Sequence, residues 1–313
     1  MFLFRPPPLP SESLSSWRQR IALDNGFLRF PRAPNEKALD PDRMPTDDIA
    51  RWLINYASVA PETLKQLTAE EHIGETSPTS GKIPWLITLG NRSTSQVAAP
   101  MFCPECLSED SIPYFRIAWR SAFWTHCQLH GNLLSERCPA CLEKIWPWGY
   151  QKISDLRWRP LHICRCGNDL RNILNTSGTQ PRICSLKQSE SFGTNEEARR
   201  SLFAISQLLV RRTHIQLRWR VMERWQINLS RANPGIRSIS QLTVSERAKY
   251  LAAARNILDD WPHTLIGLMT EAKISHRYVL CLLDAMPSAM RDLVNKELAG
   301  KRSNLLTTKP LLE

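Results

Sequence analysis

The sequence contains no long apolar run. Across its 313 residues the hydrophobic stretches are only a few residues long, whereas a helix that crosses a membrane needs about 20 apolar residues. The first residues, Met-Phe-Leu-Phe-Arg-Pro-Pro-Pro, lack the basic segment, the apolar core and the small-residue cleavage site of a signal peptide. These absences predict a cytoplasmic protein without a membrane partner.

Motifs of common catalytic sites are also missing. The sequence has no P-loop, no Gly-rich dinucleotide-binding turn and no nucleophile elbow. No cluster of Asp, Glu and His accompanies its cysteine motifs, so a zinc-dependent nuclease is the least favoured class. We therefore predict no catalytic residues, no enzymatic activity and a function in binding.

The composition is that of a folded globular protein, with 42% apolar and 23% charged residues. Its net charge of +11 is unevenly spread along the chain. Residues 1–100 carry 11 Lys and Arg against 11 Asp and Glu, residues 101–186 carry 10 against 7, and residues 187–313 carry 20 against 12. The basic excess near the carboxyl terminus favours a polyanionic partner, and nucleic acid is the commonest one in a cell.

Arginine is most concentrated between residues 199 and 237, where Glu223 is the only acidic residue. We predict nucleic-acid contacts at six of these positions, namely Arg199, Arg200, Arg211, Arg212, Arg218 and Arg220. The alternatives are a solvated basic helix face or a surface that pairs with an acidic protein.

Apolar spacing predicts a mainly α fold in four parts. Residues 1–72 form a helical unit that resembles a helix-turn-helix, and residues 73–100 form a linker. Residues 101–186 form a pair of small zinc-finger or zinc-ribbon modules, and residues 187–313 form a basic helical domain.

Three helices are predicted in the first part. One runs from Glu12 to Asp24 and stops at Asn25, and a second is capped by Thr46. A short third helix spans residues 62–68. Two short helices joined by a turn are compatible with a helix-turn-helix, although a small helical bundle gives the same pattern.

Further helices are predicted after the cysteine segment. Capping boxes at Thr194 and Thr243, each followed three residues later by Glu, open two of them. A basic helix is predicted near residues 213–228. Pro262 and Pro287 are placed in first turns, where proline is tolerated, and Gly300 closes the last helix.

The cysteines carry the main argument. Thiols stay reduced in the cytoplasm, so nine cysteines there indicate metal ligands before disulfides. Eight ligands fall into two sets, each of four: Cys103, Cys106, Cys127 and His130, then Cys138, Cys141, Cys164 and Cys166. Paired ligand turns of this spacing supply the tetrahedral coordination that zinc prefers. We predict two zinc ions per chain, in closed structural sites that leave no position for an activated water.

Some alternatives remain open within these sets. His126 adjoins Cys127 and His162 lies two residues before Cys164, so either histidine is a possible substitute ligand. Cys184 and Cys281 have no partner at ligand spacing and are expected to be small buried residues. The aromatic residues between the ligands are expected to pack around the zinc sites, with base stacking as the alternative.

At this point the motifs resemble those of a known family. The opening segment, with Phe2, Glu12, Trp17, Arg20, Asn25 and Gly26, is similar to the start of TniQ proteins of Tns-type transposons. The central Cys-Pro-Glu-Cys, Cys-Gln-Leu-His-Gly, Cys-Pro-Ala-Cys and Cys-Arg-Cys-Gly motifs are similar to those of the same family. The resemblance covers about residues 1–170.

This resemblance implies a non-enzymatic, nucleoid-associated adaptor that selects transposition targets. One face of such an adaptor meets a targeting complex, either a CRISPR Cascade or target-site DNA, and another meets an AAA+ transposition regulator. It also implies a helix-turn-helix beside two zinc modules, and a possible homodimer. The alternative function is a sequence-specific DNA-binding target selector or a transcriptional regulator that acts alone.

Overall fold

The structure is a computed structural model of the chain. It describes residues 2–31, 40–74, 83, 85–87, 99–146, 159–172, 196–210, 215–229, 238–274, 288 and 291–297. The chain forms two compact units: unit 1 comprises Met1–Gln180 and Ser240–Ser245, and unit 2 comprises Pro181–Ile239 and Glu246–Glu313. The predicted mainly α class is confirmed, since paired backbone in the described residues is limited to isolated β-bridges.

Unit 1 contains five short α-helices and one 3-10 helix among its described residues. They are α1 (Leu14–Asp24), α2 (Asp47–Ala57), α3 (Pro61–Gln66), α4 (Ala69–His72), α5 (Pro104–Glu109) and the 3-10 helix Ile117–Arg120. The first predicted helix begins two residues late because the Ser13 side chain caps it, accepting the Ser16 N–H. The predicted third helix is α3, and α4 is an additional short helix that follows it.

Helices α1 and α2 build the core of the amino-terminal part. Their apolar faces bury Leu14, Trp17, Ile21, Ile49 and Leu53. Phe2, at the start of the chain, packs its ring 4.8 Å from that of Tyr56 and 5.2 Å from that of Phe30. These ring contacts pack the start of the chain against the helical core.

The amino-terminal part and the cysteine segment pack against each other inside unit 1. The Ser13 N–H donates to the Phe115 carbonyl at 2.9 Å, and the Ile117 N–H donates to the Ser11 carbonyl at 2.8 Å. The Ser16 hydroxyl accepts the Phe115 N–H at 3.0 Å. The segment just before α1 and the first turn of α1 are therefore hydrogen-bonded to the backbone of the cysteine segment.

Unit 2 is described as helices near the predicted positions, although Pro262 precedes its helix as the N-cap instead of lying in the first turn. They are α6 (Glu196–Val210), α7 (Ile215–Trp225), α8 (Val244–Leu258, whose first residues belong to unit 1) and α9 (His263–Glu271). The basic helix near 213–228 is α7, and α8 begins directly after Thr243, as predicted. The positions called at Thr194, Pro287 and Gly300 lie outside the described residues. Among the helices that the structure describes, none is both long and apolar enough to cross a membrane.

Candidate metal centres

The first ligand pair of unit 1 is mounted on α5. Cys103 is the N-cap of this helix, Pro104 is its first residue and Cys106 lies in its first turn. Proline suits this place because the first helical N–H has no partner inside the helix. The Cys-Pro-Glu-Cys motif is therefore the start of a helix, where the sequence alone indicated only a stiffened turn.

The partner pair lies on a tight hairpin. The Gly131 N–H donates to the Cys127 carbonyl at 2.9 Å, and the Cys127 N–H donates to the Asn132 carbonyl at 2.8 Å. Gly131 has a φ of 70°, in the left-handed region that favours glycine. This turn aims the Cys127 sulfur and the His130 ring at the α5 pair.

The four side chains of this first cluster meet at distances that suit a metal ion. Nδ1 of His130 lies 3.4 Å from Sγ of Cys103, 3.3 Å from Sγ of Cys106 and 3.5 Å from Sγ of Cys127. A tetrahedral zinc ion holds its sulfur and nitrogen ligands about 3.5 Å apart, given the usual bond lengths. The donor set and the spacing both fit zinc.

The second cluster is built from two similar hairpins. Sγ of Cys138 lies 3.7 Å from Sγ of Cys166, and Sγ of Cys141 lies 3.6 Å from Sγ of Cys164. Two thiolates on one tetrahedral zinc ion stand about 3.8 Å apart. In both clusters all four ligand atoms lie within 4.8 Å of one another.

One hairpin of the second cluster differs from the others at its left-handed position. Gly131 and Gly167, at 70° and 91°, follow the ligands of two turns, whereas Leu142, at 59°, follows Cys141. The Leu142 N–H donates to the Cys138 carbonyl at 2.9 Å, and Arg137 donates to the Leu142 carbonyl at 2.9 Å. A leucine at this position is strained, and its side chain is 67% exposed.

Hydrogen bonds lower the pKa of some thiols of the clusters, and burial raises the pKa of others. Bonds from the Cys103 thiol and from the backbone N–H groups of His130 and Leu129 lower the pKa of Cys127 to about 4. Burial, with the hydrogen bond to Cys127, raises the pKa of Cys106 to about 12. In the second cluster the Asn168 N–H lowers the pKa of Cys166 to about 7, and burial raises that of Cys164. A dication at each centre favours the thiolate form of all of them.

A carboxylate holds the histidine ligand from its other side. Nε2 of His130 lies 3.1 Å from the Glu109 carboxylate, on the last residue of α5. Burial alone would lower the pKa of His130, but its hydrogen bonds with Cys127 and Glu109 outweigh burial and raise it. Such a contact orients a metal-binding imidazole with Nδ1 toward the metal. Sequence spacing did not single out Glu109, although its place three residues after Cys106 in a helix puts both on one face.

The alternative histidines stay outside both clusters. Nδ1 of His126 contacts the Thr125 hydroxyl at 3.0 Å. His126 is not a member of either cluster of four ligand residues. His162 is half-buried, and burial lowers its pKa. Cys184 and Cys281 lie outside the described residues. Tyr114, Phe115, Trp119 and Phe123 are buried, which supports the interpretation that these aromatics pack inside the unit.

The arginines predicted to contact nucleic acid take different positions in unit 2. Arg200 and Arg220 are exposed, Arg199 is half-buried, and Arg211 and Arg212 lie outside the described residues. Arg218 is only 6% exposed, and its guanidinium lies 3.4 Å from the Tyr250 hydroxyl. Its side chain is therefore buried inside the unit.

The family model of TniQ matches residues 3–134, which contain the whole first cluster and end before the second. Residues 3–134 are therefore similar to a TniQ domain. Neither a curated protein nor a solved structure matches the chain significantly. TniQ proteins take part in transposition, so this likeness points to a transposition-related role in target selection.

The residues that carry the likeness to TniQ are structural in this chain. Arg20 donates from Nε and Nη2 to the two carboxylate oxygens of the fully buried Glu12, at 2.9 and 2.7 Å. The Trp17 indole N–H donates to the Pro6 carbonyl at 3.0 Å. The Asn25 side chain accepts the Leu3 and Phe4 N–H groups at 2.8 and 2.9 Å. These bonds hold the extended first residues of the chain against α1.

Proposed function

We propose that this chain is a non-enzymatic adaptor that links a targeting complex, either a CRISPR Cascade or target-site DNA, to an AAA+ transposition regulator. An adaptor needs a surface for each partner. The observation that carries the proposal is an exposed apolar patch on the TniQ-like segment, formed by Leu3, Phe4, Phe27 and Leu28 and called the amino-terminal patch below.

The amino-terminal patch is held in a defined shape. The Asn25 amide clamps the backbone of Leu3 and Phe4, since it also donates to the Phe4 carbonyl at 2.7 Å. Phe27 packs edge-on to the buried Phe2 ring at 5.8 Å. Leu3 is 85% exposed although its backbone is fixed. Large apolar side chains that stay exposed on a fixed backbone are typical of protein-binding surfaces.

We assign this patch to the AAA+ regulator and the exposed arginines of unit 2 to the nucleic-acid side of the targeting complex. The two clusters each hold one zinc ion in this proposal. Their four protein ligands complete the tetrahedron, so the metal stabilises the fold and activates no water. The adaptor accordingly hydrolyses neither ATP nor DNA.

A pull-down with the co-expressed AAA+ regulator tests the patch. The double substitution Phe4→Ser with Phe27→Ser should abolish capture of the regulator. The matched control is Ile112→Ser, which changes another exposed apolar residue of unit 1 outside the patch. Capture of the regulator that survives the double substitution would contradict the proposed adaptor function. Fully targeted insertion in cells that lack this chain would contradict it as well.

The second candidate function is a DNA-binding target selector, which the basic carboxyl-terminal half favours. Gel shifts of the purified chain on duplex DNA, titrated with salt, distinguish the two. Tight, sequence-selective binding with a steep salt dependence supports the selector. Weak binding together with tight capture by a partner complex supports the adaptor.

A further inference from the structure

Unit 2 contains a cleft beside α7, at the carboxyl-terminal end of α9. Its volume is about 350 Å³. Helix α7 contributes Gln216, Trp219, Arg220 and Glu223, and the end of α9 contributes Glu271 and Lys273. The volume suits a group of the size of one nucleotide or one large side chain.

Trp219 forms an aromatic wall of this cleft. It is 59% exposed, while Leu217 and Val221 on the opposite side of α7 are buried. Exposure of an indole costs free energy because a large apolar area stays in water. An exposed tryptophan at the mouth of a cleft offers a flat aromatic face on which a planar ligand can stack.

Lys273, which follows the end of α9, lines the cleft in a strained backbone conformation. The Lys273 N–H donates to the Thr270 carbonyl at 3.1 Å and the Ile274 N–H to the Met269 carbonyl at 2.9 Å. This pair of bonds is the Schellman motif, whose left-handed position usually carries glycine. Lys273 occupies that position with a φ of 53°. A lysine with a strained backbone conformation therefore lines the cleft.

We propose that this cleft binds one unpaired nucleobase of a single-stranded nucleic acid, stacked on Trp219 with its flanking phosphates on Arg220 and Lys273. A tryptophan beside cations is the usual platform for single strands. The basic excess of residues 187–313 favours this ligand over a protein segment. The inference concerns unit 2 and does not depend on the AAA+ regulator.

The carboxylates of the cleft make the site selective. Glu223 accepts a hydrogen bond from Arg220 at 3.0 Å, so its charge is paired, and Glu271, the last residue of α9, also lines the cleft. A carboxylate accepts hydrogen bonds from the amino group of cytosine, whereas the N3–H of thymine is flanked by two carbonyl oxygens, O2 and O4, that repel it. The cleft is therefore expected to prefer cytosine to thymine, two bases of similar size.

Fluorescence anisotropy with the full chain tests this site. The probes are labelled oligo(dC) and oligo(dT) of about 12 nucleotides, which is within the usual range of single-strand sites. Trp219→Ala should weaken oligo(dC) binding about tenfold, and Trp219→Phe should keep most of the affinity because phenylalanine also stacks. Glu271→Gln should remove the preference for dC over dT. Ile215→Ser is the matched control, since Ile215 is exposed on α7 but does not line the cleft.

Lys273→Gly separates binding from folding. Glycine relieves the left-handed strain, so this variant should melt at or above the temperature of the parent chain while binding oligo(dC) several-fold more weakly. The proposal is overturned if Trp219→Ala binds both oligonucleotides as tightly as the parent, or if duplex DNA competes better than single strands. Capture of the AAA+ regulator that is lost with Trp219→Ala but insensitive to oligo(dC) would assign the cleft to a protein instead.

Discussion

Arg120 and Asp42 form an ion pair that is buried inside unit 1. The Arg120 guanidinium donates to the Asp42 carboxylate and, at 2.7 Å, to that of Asp40. The other oxygen of Asp42 accepts the Ser15 N–H of α1 at 2.7 Å. One carboxylate thus connects the first turn of α1 to the 3-10 helix of the cysteine segment.

Removing this carboxylate should destabilise unit 1 strongly. Asp42→Ala leaves the buried Arg120 with one carboxylate fewer, and breaking a buried pair costs about 3–5 kcal/mol of unfolding free energy. Asp48→Ala is the control, because Asp48 pairs with Arg51 at an exposed site and should cost less than about 1 kcal/mol. Denaturant unfolding measures both. Equal effects would mean that the buried pair contributes no more than a surface pair.

Metal content should follow the two clusters. Elemental analysis of the purified chain should find two zinc ions, one for each cluster. Cys106→Ser and Cys141→Ser should each lose about one ion, while His126→Ala should keep both, because its ring is outside the first cluster. Folded, soluble protein with no bound zinc would contradict the assignment.

The Glu109 contact predicts a difference in how tightly the clusters hold metal. Glu109→Gln removes the charge that orients His130, and loss of such a contact lowers metal affinity by about 10–100-fold. Competition with a chromogenic chelator should show one of the two ions released more readily. Glu143→Gln, at an exposed residue beside the second cluster, is the control. Identical release from both variants would show that Glu109 does not support the metal site.

Leu142 predicts an unusual gain in stability. Leu142→Asn places a residue that tolerates left-handed φ in the strained position, so the free energy of unfolding should rise by about 0.5–1 kcal/mol. Leu129→Asn tests the same chemical change at a residue that is 72% exposed and has a negative φ. Only the first variant should melt at a higher temperature. A gain in both would point to solubility as the cause.

The sequence predicts which side chains gather into the two clusters because their pairing is local. Each pair is separated by one or two residues, so a single turn brings its members together, and only the meeting of two turns depends on the fold. Helix positions were similarly predictable from caps such as Thr46 or Thr243 and from apolar spacing, whereas the Ser13 cap of α1 was missed.

Long-range contacts were beyond the sequence. Asp42 stands in a turn-rich stretch without any pattern that would select it as the partner of Arg120, which lies 78 residues away. The burial of Arg218 was predictable from the sequence, although its charge favours an exposed position. Arg218 adjoins Leu217 and precedes Val221 by three residues, so helical periodicity places it on the buried face of α7.

Unit 1 is discontinuous, since Ser240–Ser245 belongs to it, and the Val244 N–H donates to the buried Glu136 carboxylate at 3.1 Å. During synthesis, α6 and α7 therefore leave the ribosome before the last piece of unit 1 does. A fragment that ends at Gln180 lacks this donor and never receives it. Unit 1 thus reaches its complete form only in chains that have been translated past Ser245, which couples its maturation to the synthesis of much of unit 2.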